Sequence, residues 1–186
     1  MLGLLAPVLL AVLAGLVLGG SLERWSRQHL RWWPLGLLAL AVQIPLYSPP
    51  LDSWPPLVAV GAAAGVLTTG LILVVVLRNA VGPARAALLV AAFGIALNMT
   101  VMLANGGWMP RADTHAARLL TRGSLDSTIS NTAPLGAETR LAWLADTIAQ
   151  PAWLPLANVV SPGDLLLSFG VACWAFAITR SRPGKA

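Results

Sequence analysis

The sequence predicts an all-α membrane protein: a bundle of about five transmembrane helices with a partly helical segment on its outer side. Three observations predict it. Hydrophobic residues make up 57% of the 186 and charged residues only 10%, where a soluble domain carries about 25% charged residues. The apolar residues gather into runs of roughly 20, the length at which an α-helix crosses about 30 Å of hydrocarbon. A water-soluble chain of this size has too little interior to hide so much apolar surface.

In order, the spans are expected at residues 2–20, 32–47, 56–77, 86–104 and 162–179. The first run lacks a basic leader and no A-x-A site follows it, so it is expected to be retained, with the amino terminus outside. The second is short, but Trp32 and Trp33 at its start suit the membrane interface. Pro34, Pro56 and Pro162 stand where helices begin, since a first-turn N–H has no intrahelical partner to lose. At the last span, "NVVSPGDLLL" places Ser161 as cap and Asp164 three residues later, a capping box at the positive helix end.

The charges orient the chain. Arg24, Arg27, Arg31, Arg78, Arg85, Arg180, Arg182 and Lys185 fall on one side; Arg111, Arg118, Arg122 and Arg140 fall on the other. Lys and Arg accumulate in cytoplasmic loops, which predicts a bacterial plasma-membrane protein with its amino terminus outside and carboxyl terminus cytoplasmic. The net charge of +5 is scattered beside apolar runs rather than concentrated, so no nucleic-acid partner is expected. Cys173 is alone, and His29 and His115 have no second ligand type at metal spacing. Neither a metal site nor a cofactor is expected.

Three regions follow: a four-helix transmembrane region at 1–104, an extracytoplasmic segment at 105–158, and a fifth helix with a basic tail at 159–186. In the outer segment two short amphipathic helices are expected, near 112–120 and over 137–149. In the second, Leu141, Leu144, Ala145 and Ile148 recur at helical spacing. Trp143 and Trp153 are expected at headgroup depth.

Few polar residues interrupt the spans. Gln43, Thr68, Thr69 and Asn98 reach a similar depth at 1.5 Å rise per residue, forming an intramembrane polar layer. Such a layer reads as hydrogen-bonded glue between helices or as a pocket for a headgroup, quinone carbonyl or small solute. No charge lies near the centre of a span, which argues against an ion or proton relay. Between the fourth span and the outer segment stands "NGGWMP", residues 105–110. Asn or Gly followed by Pro ends a helix, and Trp108 suits the interface. A second glycine leaves backbone bare, so the stretch is also a candidate wall of a site.

"NGGWMP" closing a helix, then "TRLAWLADTI", then "NVVSPGDLLL" opening the last helix resemble, in that order, a family of small bacterial multi-pass membrane proteins catalogued as a domain of unknown function. The resemblance covers nearly the whole chain, with Thr121 to Leu135 departing from it. It implies a plasma-membrane helical bundle and transfers no activity and no catalytic residue.

The expected function is non-enzymatic binding of a partner protein or an apolar ligand at the outward face, as in an accessory subunit of a membrane complex. The binding residues would be Asn98, Asn105, Gly106, Gly107, Trp108, Arg140 and Asp146, and the partners a bilayer, a membrane protein or second copy, or a lipid or quinone. Two alternatives stay open. A carrier of a lipid, quinone or small solute would use the polar layer. An outward-facing hydrolase or transferase would draw on Asp113, His115, Ser124, Asp126, Ser127, Glu138 and Asp146, although no nucleophile elbow, paired metal motif or P-loop frames them.

Overall fold

Proline and glycine punctuate the apolar runs into helices. The computed structural model describes residues 5–46, 51, 54–112, 132–151 and 159–180. Its helices are α1 (Ala6–Val17), α2 (Glu23–Ser26), α3 (Trp33–Leu46), α4 (Pro55–Asn79), α5 (Arg85–Ala104) and α6 (Pro162–Arg180). Helices α1 and α4 open with proline in the first turn, the place where it removes no hydrogen bond. Beyond α1, Gly19 takes a φ of +84°, which helical backbone cannot.

The architecture is that of an all-α membrane protein. Helices α4, α5 and α6 are long and apolar enough to cross a membrane. Helices α1 and α3 are shorter apolar helices of 12 and 14 residues, and residues 1–4 and 47–50 beside them lie outside the described ones. The helices pack in the spatial order α3–α4–α5–α6–α1. Large apolar side chains such as Leu10, Leu38, Leu67, Phe93 and Phe169 point outward, as a hydrocarbon surround requires.

In lipid, helices gain nothing from hiding apolar surface from one another, so close backbone approach and hydrogen bonds hold them. Small residues supply the approach. A methyl group added at Gly170 would stand 2.5 Å from the Ala91 nitrogen, and one added at Gly94 would collide with the Gly163 carbonyl. On the other side of α6, Gly15 and Gly20 close on Thr179, with an added carbon 2.8 Å from its methyl at either position. Gly19, spaced four from Gly15, has nothing within 4 Å. Gly61 and Gly65 are both buried on α4.

The carboxyl ends of α1, α4 and α6 meet at one end of the bundle, which carries Arg24, Arg27, Arg31, Arg78, Arg85 and Arg180. Arg24 donates to the Thr179 carbonyl at 2.6 Å and Arg180 to the Leu18 carbonyl, cations placed at negative helix ends. Trp25 donates to the Thr179 hydroxyl at 3.1 Å and packs edge-on against Trp174.

The opposite end bears the connection from α5 to α6, and here the structure corrects an expectation. Residues 137–149 form no α-helix; they contain a 3₁₀ turn (Ala142–Leu144) and then extended backbone. Strand β1 (Met109–Arg111) pairs in parallel with β2 (Thr132–Pro134), and on its other edge Arg111 bridges Asp146. Two residues on, β3 (Ile148–Ala149) pairs antiparallel with β4 (Val159–Val160), which runs into α6. The amides of Leu144 and Ala145 return three residues, to the Leu141 and Ala142 carbonyls, while the Asp146 amide and the β3 pairing reach across the chain instead of four residues back. The expected helix near 112–120 lies outside the described residues.

Candidate functional site

The site is built on the end of α5. Asn105 closes the helix, Gly106 follows at a φ of +69°, and the Gly107 amide reaches back five residues to the Met102 carbonyl at 2.7 Å. That long return bond with a left-handed glycine is a Schellman cap. Gly107 also has a left-handed φ, +92°, and α4 covers it: an added carbon would stand 2.9 Å from the Ala62 methyl. The bare backbone of the second glycine is thus a helix contact. Met109 joins Val101, Met102 and Leu144 in a buried cluster, with Val66, Leu97 and Leu141 packed against it.

Asn105 does more than end the helix. Its amide nitrogen donates to the Val101 carbonyl at 2.8 Å and to the Arg140 carbonyl at 2.9 Å, while its oxygen accepts from the Arg140 amide at 2.9 Å. One side chain thereby holds both backbone polar groups of a residue 35 positions away. The next residue, Leu141, is left-handed at a φ of 54°, which starts the 3₁₀ turn and turns Leu144 into the buried cluster. Above this clip lies an open hollow of about 260 Å³ lined by Asn105, Trp108, Pro110, Ala133, Pro134, Gly136, Glu138 and Thr139.

Deeper in the bundle, Asn98 bonds to the start of α6. It donates to Asp164 at 2.7 Å and accepts from the Ser161 hydroxyl at 2.8 Å. Ser161 and Asp164 form the capping box: the Asp164 amide donates to the Ser161 hydroxyl at 2.9 Å and the Ser161 amide to the Asp164 carboxylate at 3.1 Å. Gln43 donates to Thr68 at 3.2 Å, and Thr68 donates to the Ala64 carbonyl at 2.7 Å. Thr69 faces the Met102 sulfur at 4.0 Å. The four residues of the layer divide: Gln43 with Thr68 between α3 and α4, Thr69 toward α5, Asn98 toward α6.

Asp146 stands where the end segment comes together. Its amide donates to the Pro110 carbonyl at 3.0 Å, and its carbonyl accepts from the Ala112 amide at 2.8 Å. Its Oδ1 is shut away from solvent and meets no hydrogen-bond partner. Burial pushes this carboxyl well above its ordinary value of 3.8; the Asp164 charge pushes the same way, and the positive charges of Arg111 and the amino terminus oppose.

Of the residues expected to bind, Asn105 and Trp108 line the hollow. Arg140 is drawn in through its backbone, Gly106 and Gly107 shape the chain beneath, and Asn98 and Asp146 hold other junctions. Ala133, Pro134, Gly136 and Thr139 line the hollow without having stood out in the sequence, the first three because their stretch reads as a linker and Thr139 because it falls in the expected helix. Pro134 and Gly136 were the available signal, as residues that stiffen and turn a chain. Among the described residues no group of three or more His, Cys, Asp or Glu is placed to hold a metal ion.

A family described as one of unknown function, DUF5317, matches residues 27–176. No curated protein and no solved structure matches the chain.

Proposed function

The chain belongs to DUF5317, and for it we propose a binding role without catalysis. In this reading it is a bacterial plasma-membrane protein that holds a partner protein at its outward face, as an accessory subunit of a membrane complex. Residues 1–104 and 159–186 form the membrane body, and 105–158 the recognition segment. The arginines at the far end of the bundle support this orientation, amino terminus outside and carboxyl terminus cytoplasmic, because such residues gather on the cytoplasmic side.

The hollow carries the reading. Its walls are apolar at Trp108, Pro110 and Pro134 and polar at Asn105, Glu138 and Thr139. Sites for small molecules enclose their ligand within about 300–1,000 Å³. An open hollow of about 260 Å³ suits one or two side chains of a polypeptide better than a whole apolar ligand. A carrier of lipid, quinone or solute needs a continuous polar path, and Gln43, Thr68 and Asn98 are each bonded within a helix seam. Of the set that the hydrolase or transferase reading draws on, Asp113, His115, Ser124, Asp126 and Ser127 lie outside the described residues, Glu138 lines the hollow and Asp146 does not.

Native mass spectrometry of the protein, extracted from its own membranes in mild detergent, tests the proposal. The expected result is a stoichiometric second polypeptide that is lost from the variant carrying Trp108→Ala and Glu138→Arg. A retained lipid or quinone with no polypeptide would overturn it in favour of the carrier.

A further inference from the structure

The recognition segment is tied to both α5 and α6 through one residue. On one side the backbone of Asp146 bridges β1, which continues directly from the cap of α5. On the other it leads into β3, paired with β4 and so with the Ser161 cap of α6. Immediately before it, Leu144 and Ala145 are buried, Leu144 within the cluster that includes Val101 and Met102. Whatever state Asp146 takes is therefore felt at both helix ends.

Its side chain does not suit a charge. Oδ1 is inaccessible to solvent and receives no hydrogen bond. An ionised carboxylate with this oxygen so placed has neither water nor a donor there, which disfavours the charge. Of the charged groups acting on it, Asp164 on α6 repels a carboxylate, while Arg111 on β1 and the amino terminus attract one. Desolvation outweighs these charges. A neutral acid at this position removes the unsolvated charge and the repulsion together.

We propose that Asp146 is a proton-binding site that latches the recognition segment onto the helix ends: protonated, it holds β1 and the 3₁₀ turn in place, and ionised, it lets them open. The inference concerns the segment's own stability and stands whether or not the hollow binds a protein.

The sign follows from linkage. In the open segment Asp146 is hydrated and ionises as an ordinary aspartate, near 3.8; in the closed segment it keeps its proton to higher pH. Latching is complete below the ordinary value, weakens as pH rises from there through the closed-state value, and then levels off. With one proton involved, the opening constant changes about tenfold per pH unit inside that window.

The test uses the full chain in lipid nanodiscs. Hydrogen–deuterium exchange is followed in the peptides holding the Ala112 and Asp146 amides, from about pH 5 to about pH 8, each rate corrected for intrinsic exchange. Wild-type protection is expected to fall with pH by up to about tenfold per unit, and Asp146→Asn to stay protected throughout. Equal pH dependence in the two proteins, or a flat wild-type profile, would overturn the proposal. Should the variant fail to assemble, infrared spectroscopy of the wild type decides. A protonated-carboxyl stretch lost in step with protection supports the latch, and absence of that stretch above the ordinary aspartate range refutes it.

Discussion

Asn79 and Asn105 make the same arrangement at opposite ends of the bundle. Each stands at the end of a helix and donates to a valine carbonyl four residues earlier, Val75 and Val101. Each also holds the amide and the carbonyl of one arginine, Arg31 and Arg140. The residues that follow, Trp32 and Leu141, are the non-glycine residues of positive φ among the described ones. A side-chain amide offers a donor and an acceptor as a neighbouring strand would, so it can grip a single residue. Left-handed backbone costs a non-glycine residue roughly 1–2 kcal/mol, and two hydrogen bonds of about 1 kcal/mol each offset it. Trp32 is further held by Arg78, whose guanidinium lies 4.6 Å from the ring centroid. Asn105→Asp keeps the shape and the acceptor but loses the donor, and sets a carboxylate against two carbonyls. It is expected to destabilise the clip by about 1–3 kcal/mol, read as faster tryptic cleavage after Arg140. Unchanged cleavage would show that the amide donor contributes nothing.

Between elements, the seam of α5 and α6 is the most elaborate. Its glycines remove the side chains that would keep the backbones apart, and Asn98 adds hydrogen bonds to a capping box 63 to 66 residues away. Gln43 and Thr68 join α3 to α4 by one bond between neutral groups. Hydrogen bonds to charged groups contribute about 1.5–3 kcal/mol and neutral ones between membrane helices about 0.6. Asn98→Leu also leaves Ser161 and Asp164 short of a partner at a helix start. It is therefore expected to lower the thermal midpoint in detergent more than Gln43→Leu, by a difference of about 1–2 kcal/mol. Equal shifts would mean that the two contacts are equivalent glue.

Across the whole molecule, the arginine-bearing end and the strand-bearing end are physically distinct. If the positive-inside rule governs this chain, a fluorescent reporter that folds only in the cytoplasm will fluoresce when fused after Ala186, and a phosphatase active only outside will be silent there. The opposite pair of readings would invert the topology and turn the hollow toward the cytoplasm.

Legibility varied with the range of the interaction concerned. The expected spans at 56–77, 86–104 and 162–179 lie within two residues of α4, α5 and α6, and the capping box sits where Ser161 and Asp164 predict it. The stretch 137–149 carries the same apolar spacing as a helix, and Leu144 and Ala145 of its stripe are buried. Its backbone nonetheless follows Asn105 and β1, partners 35 residues or more away that periodicity does not register.

Sequence alone determined that this is a helical membrane protein, where its long helices run and how they begin. Those features depend on apolar length and on residues within one turn of each other. Tertiary structure alone decided that the second glycine of "NGGWMP" is covered by α4, that Asn98 completes the cap of α6, and that one carboxylate oxygen of Asp146 is shut from solvent without a donor. Each of these is a contact between segments far apart in the chain, where the identity of the neighbour, and not the spacing along the sequence, sets the chemistry.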